Sequence, residues 1–268
     1  MYEKLYRTRV GRRAAELLAR PGVSRAAGRF MDSRFSKFLI APFQRLNHIR
    51  MDDFAEENYK SFNAFFTRSL KPGARPVDAD KNALASPCDG FLTALPVSKD
   101  GVFTVKGSPY TALTLTQNES VARDFDGGWC LIFRLTPANY HRYAFPDDGI
   151  ITSAQKIPGV FHTVRPEALK EIPVFKTNTR EYACLSTANF GPMVYMEVGA
   201  TMVGRIVNRV KSGAFSRGQE KGYFEFGGST VILLTAPGAF VPEDTILQAS
   251  ARDEETPVKL GERVGHRP

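Results

Sequence analysis

Cysteine is scarce in this 268-residue chain: Cys88, Cys130 and Cys184 are the whole set, and their spacing suits neither a disulfide framework nor a CxxC zinc site. A reducing, cytosolic setting is expected, with no metal. Histidine is almost as rare, with only His48, His141, His162 and His266, so few general bases are available to any active site. No window approaches the roughly 18 to 20 uninterrupted apolar residues of a membrane-crossing helix, and the N-terminus lacks the apolar core of a signal peptide. Attachment to a membrane, where it occurs, is therefore expected from one surface. Extended disorder is excluded by the 43% hydrophobic content, which allows a sizeable core.

Charge is unevenly placed. Lys and Arg number 36 against 28 Asp and Glu, yet residues 1–50 alone hold twelve basic residues against Glu3, Glu16 and Asp32. The remainder is close to neutral, so the basic head reads as a surface for something anionic, a membrane or a nucleic acid. Nucleic acid is disfavoured, because no recognition motif or aromatic-interleaved basic strand accompanies the charge.

The head also carries helical periodicity. Val10, Ala14, Leu17 and Leu18 precede Pro21-Gly22, the expected breaker. From Ser24, a candidate N-cap, Ala27, Met31, Phe35 and Phe38/Leu39 recur with Arg25, Arg29, Arg34 and Lys37 between them. Amphipathic basic helices near 11–20 and 24–40 follow, lying on an anionic bilayer or packing on the protein body. A third helical stretch, Tyr59 to Arg68, ends at the stiff Lys71–Pro76 connector. Beyond residue 84 the pattern changes to short β-branched and aromatic runs: Phe91–Val97, Val102–Val105, Cys130–Leu135, Met193–Val198, Met202–Val210, Tyr223–Phe226 and Thr230–Leu234. The predicted fold class is α+β, mainly β, an antiparallel barrel- or sandwich-like body with N-terminal amphipathic helices. Residues 1–76 are expected to form a basic helical, membrane-associating region and 77–268 a mainly-β catalytic domain.

Three segments are richer in special residues than a plain scaffold needs. Ser86-Pro87-Cys88-Asp89-Gly90 fixes a carboxylate at a strand entry, Leu135–Tyr143 delivers His141 from a turn, and Gly222–Val231 breaks a strand pattern with Gly227-Gly228 immediately before Ser229. Each alone has an ordinary reading: a turn aspartate, a structural histidine, a hairpin bend. Together, a serine, a histidine and a carboxylate are the parts of a nucleophilic site. No Gly-x-Ser-x-Gly elbow surrounds Ser229, so a hydrolase triad is unsupported.

Ser-Pro-Cys-Asp-Gly at 86–90, Tyr-His-Arg at 140–142, Val-Gly-Arg-Ile-Val at 203–207 and Gly-Tyr-Phe-Glu-Phe-Gly-Gly-Ser-Thr-Val at 222–231 resemble, in order and spacing, the phosphatidylserine decarboxylases. The resemblance extends through Phe65-Phe66-Thr67-Arg68, Arg75-Pro76 and Glu255–Lys259, so it covers almost the whole chain. It implies self-cleavage of the Gly228–Ser229 bond into chains 1–228 and 229–268, with Ser229 becoming a covalent pyruvoyl group, the only cofactor needed. It also implies conversion of phosphatidylserine to phosphatidylethanolamine and CO₂, peripheral attachment at the cytoplasmic face of the cell membrane, and a homodimer of processed protomers. Asp89 and His141 match the family's site positions. Many members carry a second His, in the self-cleavage triad, where this chain has Ala144. The base for cleavage then falls to His162 or His141. The expectation favours His162 for cleavage and His141 for protonating the carbanion left by CO₂, with Asp89 orienting the base by accepting its other N–H. Decarboxylation of a soluble amino acid and non-catalytic lipid binding are the competing readings.

Overall fold

The computed structural model describes residues 9–200, 205–226 and 229–268. Its centre is an eight-stranded antiparallel sheet. In spatial order the strands are Gly213–Phe215, Gly149–Ile157, Arg180–Thr187, Gly191–Val198, Ser229–Thr235, Trp129–Leu135, Gly90–Pro96 and Thr256–Val258. Side chains alternate across the sheet, and both faces are covered. Ile132, Val194, Met196, Ile232 and Leu234 point into one apolar cluster, whereas Leu131, Phe133, Tyr195, Val231 and Leu233 point into the other. Burial on both faces is why the strand Ser229–Thr235 is apolar from Val231 to Leu234 and has every residue buried.

Two three-stranded antiparallel sheets join the core. One orders Ile206–Asn208, Glu220–Phe224 and Arg142–Ala144, and the other Ala83–Ala85, Arg263–His266 and Val241–Pro242. Lys221 of the first reaches Glu197 of the large sheet at 2.5 Å with both side chains buried, an ion pair that ties the two together. The large sheet itself is open. Gly213–Phe215 and Thr256–Val258 are its edges, and among the described residues no strand joins them, so the barrel element of the sequence expectation is not met.

The N-terminal region is helical, with boundaries that differ from expectation. Helices run over Arg9–Leu18, Pro21–Asp32 and Ile40–Leu46, with a 3₁₀ segment at Arg34–Leu39. Pro21 starts a helix instead of merely ending one, since proline suits the first turn, where its missing N–H would be unpaired anyway. Ser24 accordingly lies inside that helix, buried, and is no N-cap. The expected third helix shortens to Phe62–Phe66, capped by the Ser61 hydroxyl accepting from the Ala64 N–H. The apolar stripe divides between two destinations. Met31, Leu39, Ile40 and Phe43 pack with Phe62, Phe66 and Phe226, while Phe35 and Phe38 stay 80% and 68% exposed.

Candidate active site

Three of the segments singled out in the sequence converge at one end of the large sheet. Ser229 begins its strand, fully buried, and is paired with Leu135. Gly90 lies beyond Leu135 on the next strand, where a Cβ would come within 2.9 Å of the Arg134 carbonyl, so the close approach demands glycine. Val198, paired with Thr230, brings Gly199 alongside on the other flank. Gly227 and Gly228 lie outside the described residues, as do Thr201–Gly204 at the start of the Val203–Val207 motif.

His141 meets Ser229 directly, with Nδ1 3.3 Å from Oγ. Its Nε2 lies 3.0 Å from the Thr136 carbonyl oxygen. A carbonyl only accepts, so the imidazole hydrogen sits on Nε2 and Nδ1 turns a lone pair toward the hydroxyl. The turn supplying that carbonyl is braced by Asn139, whose Oδ1 accepts from the Thr136 N–H and hydroxyl, each at 2.7 Å. Arg68, fully buried, donates to the Ala138 and Asn139 carbonyls, both at 3.2 Å, and stacks over Phe54. Phe66 covers the imidazole, with ring centroids 3.9 Å apart. Burial, with the Arg68 charge second, pushes the His141 pKa down to about 3, against the opposing hydrogen bond to Thr136. The ring is therefore a neutral, oriented acceptor at physiological pH.

Asp89 is near this site but is engaged differently from the sequence expectation. Its oxygens accept Arg75 Nε at 2.9 Å, Arg75 Nη2 at 2.7 Å and the Leu260 N–H at 2.9 Å. No histidine donates to it among the described residues. Arg75 also binds Asp53 at 2.8 Å, and these two carboxylates hold the guanidinium firmly charged. The expected Asp89–His contact is thus replaced by a bidentate arginine pair, the stronger geometry for a buried carboxylate. Ala144 belongs to a small apolar cluster with Phe54, Tyr140 and Leu260. That cluster adjoins Asp89 through the Leu260 N–H.

His162 stands apart. Its backbone N–H donates to Asn178 Oδ1 at 3.0 Å, and Asn178 Nδ2 donates in turn to the His162 and Gly199 carbonyls, both at 2.7 Å. Its Nδ1 is buried with no hydrogen-bond partner among the described residues, and burial lowers its pKa, opposed by Glu16. No hydrogen bond joins its ring to Ser229 among those residues. The segment before Ser229 is held from the helical region: Phe226 donates its N–H to Asn63 Oδ1 at 3.0 Å, and its ring meets Phe62 and Phe66 at 4.7 and 5.3 Å. Sequence reading assigned no role to Thr136, Phe66, Arg68 and Arg75, although all four lay within quoted segments.

A family model described as phosphatidylserine decarboxylase matches residues 62–266. The phosphatidylserine decarboxylase proenzyme of Clostridium botulinum (strain Langeland) is 40% identical, over 98% of this chain and 91% of its own length. The proenzyme of Ruminiclostridium cellulolyticum is 39% identical over 98% of this chain and 89% of its own, and proenzyme 2 of Clostridium acetobutylicum 38% over 97% and 90%. With its serine, histidine and aspartate segments gathered at one sheet end and relatives matching nearly end to end, this chain belongs to the phosphatidylserine decarboxylase family.

Proposed function

We propose that this chain is a proenzyme that cuts itself between Gly228 and Ser229 and then decarboxylates phosphatidylserine to phosphatidylethanolamine. The observation that carries the reading is the contact between the His141 Nδ1 lone pair and the Ser229 hydroxyl. In cleavage, Nδ1 accepts the hydroxyl proton while Oγ adds to the Gly228 carbonyl. The carbon–nitrogen bond of the peptide breaks as the ester forms, leaving a free amine on Ser229. Loss of the Ser229 α-proton then expels the Gly228 carboxylate, and one water replaces the nitrogen, released as ammonia, to leave a ketone.

The residues around position 229 suit such a group: the position is fully buried, at a strand end, beside a neutral imidazole with one nitrogen free to exchange a proton. The pyruvoyl ketone supplies an electron sink for loss of CO₂, so no second cofactor is required. His141 handles the proton at the substrate carbon, Thr136 keeps its tautomer fixed, and Phe66 excludes water from its face. Asp89 acts through Arg75 and Leu260 as a positioning residue, and the His162 backbone is tied through the Asn178 side chain to the loop at Gly199.

Residues 1–76 attach the protein to an anionic, cytoplasmic membrane face, residues 77–268 form the catalytic body, and processed protomers pair as homodimers. Exposed Leu17, Leu18, Phe30, Phe35, Phe38 and Leu46, interspersed with arginines, support the attachment, and among the described residues no helix is long and apolar enough to cross a membrane. Intact mass tests the reading at once. Wild type should yield a 40-residue fragment blocked at its N-terminus, and Ser229→Ala should stay whole. A wild-type chain that remains intact on long incubation with lipid overturns it.

A further inference from the structure

Between the helix Pro21–Asp32 and the segment leading to Ser229 lies a cavity of about 270 Å³ that the self-cleavage chemistry does not use. Ser24, Arg25, Gly28 and Arg29 line it from one face of the helix, and Arg205 and Phe226 line it from the body. Ser24 is only 1% exposed, yet its hydroxyl has no hydrogen-bond partner among the described residues. A buried hydroxyl is seldom left so. Neither Arg25 nor Arg29 has an ion-pair partner among those residues, whereas the two carboxylates that also line the cavity are engaged: Asp32 accepts from Asn63 at 2.8 Å and Glu225 faces Arg205 at 3.6 Å. Gly28 sits mid-helix with open space where its Cβ would be, a residue that weakens the helix and keeps the cavity clear.

We infer that this cavity is the subsite for the phosphate of the lipid headgroup, with Arg25 and Arg29 supplying the charge and the Ser24 hydroxyl a hydrogen bond. Two free guanidinium groups and a spare O–H donor suit phosphate oxygens better than any neutral ligand. The cavity's surroundings favour a lipid as the source. On the same helix and the segment after it, Phe30, Phe35 and Phe38 are exposed, so a headgroup entering here leaves its acyl chains on the apolar surface. At the inner end Phe226 precedes Ser229 by three residues, at most about 10 Å of chain, and meets Phe66, which stacks on His141. A phosphate held in the cavity thereby directs the serine amine, a few bonds away, toward position 229.

The inference rests on phosphatidylserine being the substrate, and its test uses a readout other than turnover. Calorimetric titration of the uncleaved full-length Ser229→Ala chain with glycerophosphoserine, which has the headgroup but no acyl chains, should show binding. Inorganic phosphate should bind more weakly and free serine not measurably. Affinity should fall tenfold or more when Arg25→Gln and Arg29→Gln are combined, and likewise in Gly28→Leu, which fills the cavity while favouring the helix and should not lower the melting temperature. The pair Arg34→Gln and Lys37→Gln removes the same charge outside the cavity and should change affinity less than twofold. Equal losses in both charge pairs, unchanged affinity in Gly28→Leu, free phosphate binding as tightly as the headgroup, or no binding at all would each overturn the subsite. Release of CO₂ from phosphatidylserine vesicles, measured on the wild type in parallel, separates this failure from failure of the enzymatic reading.

Discussion

His141 turns its hydrogen-free nitrogen to Ser229, because Thr136 occupies the other one. The 3.3 Å separation between Nδ1 and Oγ is a little beyond an ideal O–H···N contact and within the range from which a resting nucleophile tightens onto its base. On the proposed reading His141 is then the base for cleavage, with no histidine needed at position 144. His141→Ala should accumulate as a single uncut chain, and His162→Ala should be processed at a rate within a fewfold of wild type. Denaturing electrophoresis over time distinguishes them, and an uncut His162→Ala chain that is fully folded would return the base role to His162.

Acid should act on this site through stability more than through protonation of the base. The folded His141 pKa of about 3 lies below the ordinary 6.5, so between those values the unfolded chain binds a proton that the folded chain does not. Stability contributed by the neutral ring is complete above pH 6.5 and is lost as pH falls toward 3, by at most about 1.4 kcal/mol per pH unit. Urea titrations from pH 7 to 4 should show a shallower decline for His141→Gln than for wild type. Initial cleavage rates of wild type, where the fold persists, should lack an inflection near 6.5.

Removing one partner from a buried ion pair leaves an uncompensated charge. Arg75 and Asp89, whose side chains are each 8% exposed, form such a pair: Arg75→Ala, which strands the buried Asp89 carboxylate, should cost about 3–5 kcal/mol in chemical denaturation, and Asp89→Ala less, because Asp53 still pairs with Arg75. The double variant with Arg75→Ala should lose less than the sum of the singles. If Asp89→Ala instead stops cleavage with stability intact, Asp89 acts on the base itself and the positioning role is wrong.

The proposed membrane attachment would combine two signals along the N-terminal helical region. Replacing Arg25, Arg29, Arg34 and Lys37 by Gln should weaken pelleting with anionic vesicles, with roughly 1 kcal/mol lost per charge at the surface. Phe35→Ser with Phe38→Ser should weaken it on neutral vesicles as well, since those rings are 80% and 68% exposed. Unchanged pelleting of the charge variant would leave the helices with a purely internal role.

The strands most readily read from the sequence were those buried on both faces. Trp129–Leu135, Gly191–Val198 and Ser229–Thr235 hold the apolar runs 129–133, 192–196 and 231–234, whose side chains mostly meet one or other of the two clusters. Gly149–Ile157 escaped notice because most of its residues face solvent, leaving Thr, Ser, Gln and Lys where alternation would be sought. The expected strand Met202–Val210 narrows to Ile206–Asn208, with 201–204 outside the described residues. At the site, Ser229, His141 and Asp89 were legible as residue types in motifs. What Asp89 binds was not, since Arg75 competes for it from another segment, and neither was the tautomer of His141, which a backbone carbonyl determines.

The strand that begins at Ser229 runs through the middle of the large sheet, paired along its length with Trp129–Leu135 on one side and Gly191–Val198 on the other. A cut at its N-terminal end would give the molecule a memory of its own history. The uncut chain folds by a first-order search, with its central strand tethered. The processed form, once unfolded, would have to recapture a separate 40-residue piece from solution, a second-order step that slows with dilution and competes with aggregation. Denaturation curves of the processed protein would then show hysteresis, while those of Ser229→Ala retrace themselves.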